Sequence, residues 1–195
     1  HTNLGDLKIE LFCELIPKNT FVGRNQQILT RRTSWLSVRA DITTAQSSTG
    51  SLPWIELSRR NMKGFIIQGG DPTGIDFAPL QKGTGKGGES INGVPVEDEF
   101  HPSIKVVAAS STFPQFDRRG MVAMAKKHPN TNKSQFYIIY DRQSQLDNVD
   151  TIIGKVIYGM DTLQAMEAVE VNEKYRPKRD IIIESITIHA NPFAL

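Results

Sequence analysis

Four sets of residues in this chain have types and spacings that could do chemistry. Gly83-Thr84-Gly85-Lys86-Gly87-Gly88 satisfies the G-x-G-x-x-G pattern. A dinucleotide site built on that pattern needs a strand before it and a helix after it. Ala78-Pro79-Leu80 precedes it and Asn92-Gly93-Val94-Pro95 soon follows, so a long helix is excluded and a glycine turn is favoured over a phosphate cradle. His1, His101, His128 and His189 are scattered with no second ligand at metal spacing, which argues against zinc. Cys13 is the only cysteine and sits among apolar residues, so it reads as a small hydrophobe rather than a nucleophile. No G-x-S-x-G occurs. The remaining set is Arg60-Asn61-Met62-Lys63-Gly64-Phe65-Ile66-Ile67-Gln68-Gly69-Gly70-Asp71, a cation, an aromatic and an amide around a short apolar run. Residues two apart on a strand share a face. Phe65 and Gln68 therefore need a bend or a neighbouring strand to meet in one pocket, and periodicity alone assigns Phe65 to the core.

The elements that must position these groups are mostly strands. Leu7, Ile9 and Leu11 alternate with Lys8 and Glu10 after an Asn3-Leu4-Gly5-Asp6 turn. Residues 65–68, 121–125 and 135–140 are short apolar runs bounded by Gly, Pro, Asn or Lys, and 152–157 and 181–188 continue the series. One helix is expected from Asp161 to about Val169, with Leu163, Met166 and Val169 on one face and Asp161 as N-cap. A second, poorly patterned helix is expected after Pro17-Lys18-Asn19-Thr20. Many short strands with glycine-rich turns predict a mainly β barrel or sandwich. With 195 residues and no linker, the chain reads as one domain over 1–195. Residues 21–57, 75–82 and 106–116 fit the pattern badly and read as surface insertions; Trp54 to Arg60 is expected to regain a strand.

The Arg60–Asp71 segment resembles the active-site strand of the cyclophilins, with its Arg, Gly-Phe and Gln-Gly-Gly-Asp. Further similarities recur in order. Gly85-Lys86-Gly87-Gly88-Glu89-Ser90 resembles the family's glycine loop and Glu97-Asp98-Glu99 its acidic turn. Met124-Ala125, Pro129 to Ile138, Leu146-Asp147, Ile153-Gly154-Lys155-Val156 and Gly159-Met160 resemble the rest. The resemblance covers residues 3–20 and 58–195 apart from the insertions. The tail, Val171 to Lys174, Tyr175-Arg176-Pro177 and Ile186 to Phe193, is similar to the peptidyl-prolyl isomerase-like 3 subgroup.

This resemblance implies a closed eight-stranded antiparallel barrel with two capping helices, and an enzyme that isomerises X-Pro bonds in protein segments. It assigns Arg60, Phe65 and Gln68 to catalysis, and Ile66, Gly85, Ala125, Lys126, Gln135, Tyr137, Gln145, Leu146 and Asp150 to substrate binding. No bond breaks in this reaction, so no metal or cofactor is expected. Several positions depart from the family: Ser58-Arg59-Arg60 stands for Phe-His-Arg, Lys126 for Asn, Gln145 for Trp, Asp150 for His and Tyr137 for Phe. Gln145 in place of a Trp implies weak cyclosporin binding. These departures leave a second class open, a catalytically weak module or scaffold that binds proline-containing partners. The subgroup's association with the spliceosome implies partners in a nuclear ribonucleoprotein.

Composition bounds the partners. A formal charge of +2, from 23 basic and 21 acidic residues, is too small for nucleic-acid binding by charge alone. A basic stretch from Leu15 to Ala40 reads as a solvated loop. One cysteine, no signal-peptide pattern and no apolar run of roughly 20 residues point to a reducing compartment, the nucleus or also the cytosol, with no membrane contact. A monomer is expected.

Overall fold

The computed structural model describes residues 1–12, 16, 55–56, 60–71, 87–88, 90, 93–100, 115–187 and 189. Most of the 21–57, 75–82 and 106–116 stretches, Gly85 and the segment expected to form the second helix lie outside these residues. The described elements run β1 (Lys8–Leu11), β2 (Ile55–Glu56), β3 (Arg60–Met62), β4 (Ile66–Gly69), β5 (Met121–Met124), β6 (Phe136–Ile139), β7 (Ile152–Tyr158), α1 (Met160–Glu167) and β8 (Ile182–Ile183). Of the strand expected between Trp54 and Arg60, Ile55–Glu56 form β2 and Arg60 begins β3, and residues 57–59 lie outside the described residues.

All pairings among the described strands are antiparallel. They make one six-stranded sheet in the order β1-β7-β5-β6-β4-β3, and β2 pairs with β8 separately. The mainly β expectation therefore holds. Among the described residues the sheet is open, with six strands rather than a closed eight, and one α-helix is present rather than two. The helix begins one residue before its expected start. Gly159 is its N-cap, and Asp161 lies in its first turn with no capping hydrogen bond.

Both faces of the sheet are covered, which explains why β5 and β6 are continuous apolar runs: every residue of each is buried. On one face Ile67, Val122, Ile138 and Tyr140 pack with Leu163 and Met166 of α1, both 0% exposed. Burying each of those two helix side chains stabilises the fold by about 1.5–3 kcal/mol. On the other face Ile66, Met121, Ala123, Tyr137, Ile139 and Ile152 surround Phe116. Phe116 is fully buried, so the last residue of the 106–116 stretch belongs to the core and not to the surface.

Candidate active site

Hydrogen-bond register sets the site. Arg60 of β3 lies opposite Gln68 of β4, Gln68 opposite Tyr137 of β6, and Tyr137 opposite Ala123 of β5. Directly opposed residues project from the same face of a sheet, so these four side chains form a row across four strands, on the face that carries Phe116. Arg60 stands exposed at one end. Asn61, one residue on, points to the opposite face and is buried.

The conflict between Phe65 and Gln68 is settled by a turn. The Phe65 amide donates to the Met62 carbonyl at 2.9 Å, which closes a tight turn before β4 starts at Ile66. Phe65 is therefore outside the strand's alternation. It packs half-buried against the same cluster as Ile66, Ala125 and Leu146. Gln68 Nε2 donates to Gln135 Oε1 at 2.9 Å, and Gln135 Nε2 donates to the Gly87 carbonyl. The Gln135 carbonyl accepts from the Ala125 amide at 2.9 Å. Gln135 thus ties together β4, the end of β5 and the loop at Gly87. Gln145 is exposed and donates to Gln143 Oε1; Leu146 beside it closes a short 3-10 turn, Ser144–Leu146.

Three of the unusual residues meet one another. Lys126 Nζ is 2.7 Å from Asp98 Oδ2 and 3.4 Å from Asp150 Oδ1, and it also donates to the Val149 carbonyl. Its side chain is only 8% exposed. The ammonium's three donors thus have acceptors within the protein. The Tyr137 hydroxyl donates to Asp150 Oδ2 at 2.8 Å, and its ring stacks on Phe116 with centroids 6.0 Å apart. Burial, then the Asp150 charge and hydrogen bond, push the Tyr137 phenol well above its ordinary range, so it stays neutral. Burial pushes the Asp98 carboxyl up. Hydrogen bonds from Lys126, the Asn130 amide and Asn132 outweigh it and hold the group below its ordinary 3.8.

The structure therefore gathers Arg60, Gln68 and Tyr137 on adjoining strands, with Gln135 and Ala125 just beyond the ends of β6 and β5 and with Phe65, Ile66 and Leu146 on the adjoining apolar cluster. Lys126 and Asp150 form one charged group behind Tyr137. Asp98 and Phe116 were not singled out as site residues from sequence. A new cation at 126 and a new anion at 150 were the available signal, since opposite charges introduced into one site tend to be partners. Among the described residues no group of three or more His, Cys, Asp or Glu is placed to hold a metal ion.

A family model described as cyclophilin type peptidyl-prolyl cis-trans isomerase/CLD matches residues 56–188. The peptidyl-prolyl cis-trans isomerase-like 3 of Homo sapiens is 42% identical over 100% of this chain and 96% of its own length. That of Mycosarcoma maydis is also 42% identical, over 100% of this chain and 94% of its own length. A crystal structure of a Cryptosporidium parvum cyclophilin type peptidyl-prolyl cis-trans isomerase, in the presence of the dipeptide Ala-Pro, superposes with a TM-score of 0.66 at 38% identity. The match covers 97% of this chain and 96% of that one. With a family match over most of its length and relatives above 40% identity end to end, the chain belongs to the cyclophilin-type peptidyl-prolyl cis-trans isomerases.

Proposed function

We propose that this protein isomerises X-Pro bonds in protein segments on the row formed by Arg60, Gln68 and Tyr137. The barrier to rotating the amide is ~18–20 kcal/mol. Catalysis consists of favouring the twisted amide over both planar forms, and no bond is made or broken. Twisting removes resonance from the proline nitrogen and makes it a better acceptor. Arg60, exposed at the end of the row, donates to that nitrogen. Phe65, Ile66, Tyr137 and Leu146 wall the slot for the proline ring. Gln68, Gln135 and the Ala125 backbone hold the flanking peptide, with Gly85 and Gln145 as further contacts. Lys126 and Asp150 act indirectly, by fixing the Tyr137 hydroxyl and the 146–150 loop.

The observation that carries this reading is the register of Arg60, Gln68 and Tyr137 on three adjacent strands. Exchange spectroscopy on a proline-containing peptide tests it. The pure protein is expected to raise the cis–trans exchange rate at catalytic concentrations. Binding without acceleration would establish the proline-binding module in its place.

The full fold is a single domain over 1–195, an eight-stranded closed barrel with two capping helices and insertions at 21–57, 75–82 and 106–116. The six-stranded antiparallel sheet and the separate β2–β8 pair of the described residues, with the solved cyclophilin likeness, support it. The subgroup-like tail supports a place in the spliceosome, in the nucleus and also the cytoplasm, reached as a monomer through protein contacts. Anisotropy titrations with RNA are expected to show weak binding that collapses with salt; tight, sequence-specific binding by the isolated chain would exclude this route.

A further inference from the structure

The sheet face opposite the row carries a second set of hydrogen bonds, and they converge on the turn that aims Phe65. Glu167, the last residue of α1, accepts at Oε1 from the Gly64 backbone amide at 2.8 Å and at Oε2 from Arg119 Nη1 at 2.6 Å. The same Arg119 nitrogen donates to the Tyr140 carbonyl at 2.8 Å. Tyr140 donates its amide to the Phe65 carbonyl at 2.8 Å and its hydroxyl to Asn61 Oδ1 at 2.6 Å. Gln143 Nε2 donates to the Gly64 carbonyl at 3.1 Å. The peptide groups on both sides of Gly64 are thus held, and so is the carbonyl of Phe65.

We propose that Glu167 is a positioning residue for the isomerase site, acting through the Gly64 amide and Arg119 to fix the Met62–Phe65 turn and with it Arg60 and Phe65. The inference rests on the isomerase reading given above. Helix α1 does not need this carboxylate for its own anchoring, because Leu163 and Met166 are fully buried and Asn61 Nδ2 holds the Met166 carbonyl at 2.8 Å. Both Glu167 oxygens instead reach outward, one to the turn and one to the arginine behind it. A carboxylate accepting from a backbone amide makes a stronger bond than a neutral acceptor does. The demand on position is steep, since a misplacement of about 1 Å at a catalytic group costs about a hundredfold in rate.

The test compares wild type, Glu167→Gln, Glu167→Ala and Glu170→Ala. Glu170 is the control, a surface partner of Lys178 that is 78% exposed. Three quantities are measured: kcat and KM for a proline-containing peptide, hydrogen exchange at the Gly64 and Phe65 amides, and the melting temperature. Glu167→Ala is expected to lower kcat about fivefold to tenfold with KM within about twofold, and to speed Gly64 exchange at least about tenfold. Glu167→Gln keeps an oxygen for Gly64 but loses the charge facing Arg119, so a twofold to threefold loss of kcat is expected. Glu170→Ala should match wild type throughout. A lower melting temperature with kcat unchanged would overturn the proposal, as would equal losses in the Gln and Ala variants. Should the Ala variant fail to fold, an unchanged kcat in the Gln variant overturns it. Should wild type itself lack isomerase activity, that reading fails separately. The positioning claim is then judged by Gly64 and Phe65 exchange in the same variants, where unaltered exchange overturns it.

Discussion

Replacing Lys126 by Met removes the cation that lies between two largely buried carboxylates. The lysine, Asp98 and Asp150 side chains are 8%, 5% and 16% exposed. Removing one partner of a buried ion pair costs about 3–5 kcal/mol, because the charge left behind is uncompensated. Here the cost is reduced, since Asp98 keeps bonds from the Asn130 amide and Asn132 Nδ2, and Asp150 keeps the Tyr137 hydroxyl. Methionine also preserves most of the stem's packing. The expected loss is therefore about 2–4 kcal/mol at pH 7, or a melting point lower by about 5–15 °C for a chain of this size. The loss must depend on pH in a definite sense. The Asp98 pKa is lowered in the folded protein, so its contribution is fully present above the ordinary value of 3.8 and fades as pH falls through the folded-state value. Lys126 supplies part of that lowering. The gap between wild type and variant should thus be full at neutral pH and narrow below about pH 4. Urea unfolding of both proteins between pH 7 and pH 3 measures it. A loss below about 0.5 kcal/mol, as for an exposed pair, or one independent of pH, would refute the reasoning.

Gly70 has φ +83°, and a Cβ there would lie 2.4 Å from the Ser134 carbonyl oxygen and 3.0 Å from Phe136 Cδ1. Gly70→Ala is expected to cost more than about 2 kcal/mol. Gly93→Ala, with φ +71° and nothing within 4 Å, should cost only about 1 kcal/mol; equal melting points for the two would contradict the steric argument. Cyclosporin should bind wild type about thirtyfold more weakly than Gln145→Trp, since an exposed glutamine lacks the apolar surface of an aromatic anchor. Calorimetric titration of both proteins decides it, and no gain in the Trp variant removes the idea.

Much of this was legible in the sequence, for reasons that differ from element to element. Strand β1 alternates because only one of its faces is well covered, and Leu163 and Met166 declare the buried side of α1 by their spacing. The helix start was misplaced because its N-cap, Gly159, has no side-chain oxygen to betray it, whereas the aspartate two residues later imitates a cap. The sequence predicts a strand over 181–188, but among the described residues its ladder covers Ile182–Ile183, because periodicity registers burial rather than pairing. The site was readable from family motifs, not from spacing. Within the row, the Met62–Phe65 turn sets Arg60 opposite Gln68 locally, but Gln68 meets Tyr137 through pairing of strands far apart in sequence, and no local pattern encodes that register. The Lys126–Asp98–Asp150 group was hidden for the same reason, as was the grip of Glu167 on Gly64.

The central claim is that Arg60 acts on the twisted prolyl amide at the end of this row. The most direct test is the cis–trans exchange rate of a proline-containing peptide, measured with wild type, Arg60→Ala and Arg59→Ala at equal concentrations of folded protein. A donor that acts mainly in the transition state predicts at least about a tenfold fall in kcat for Arg60→Ala, with peptide affinity little changed and Arg59→Ala near wild type. Equal losses in the two variants, or full activity in Arg60→Ala, would contradict the account.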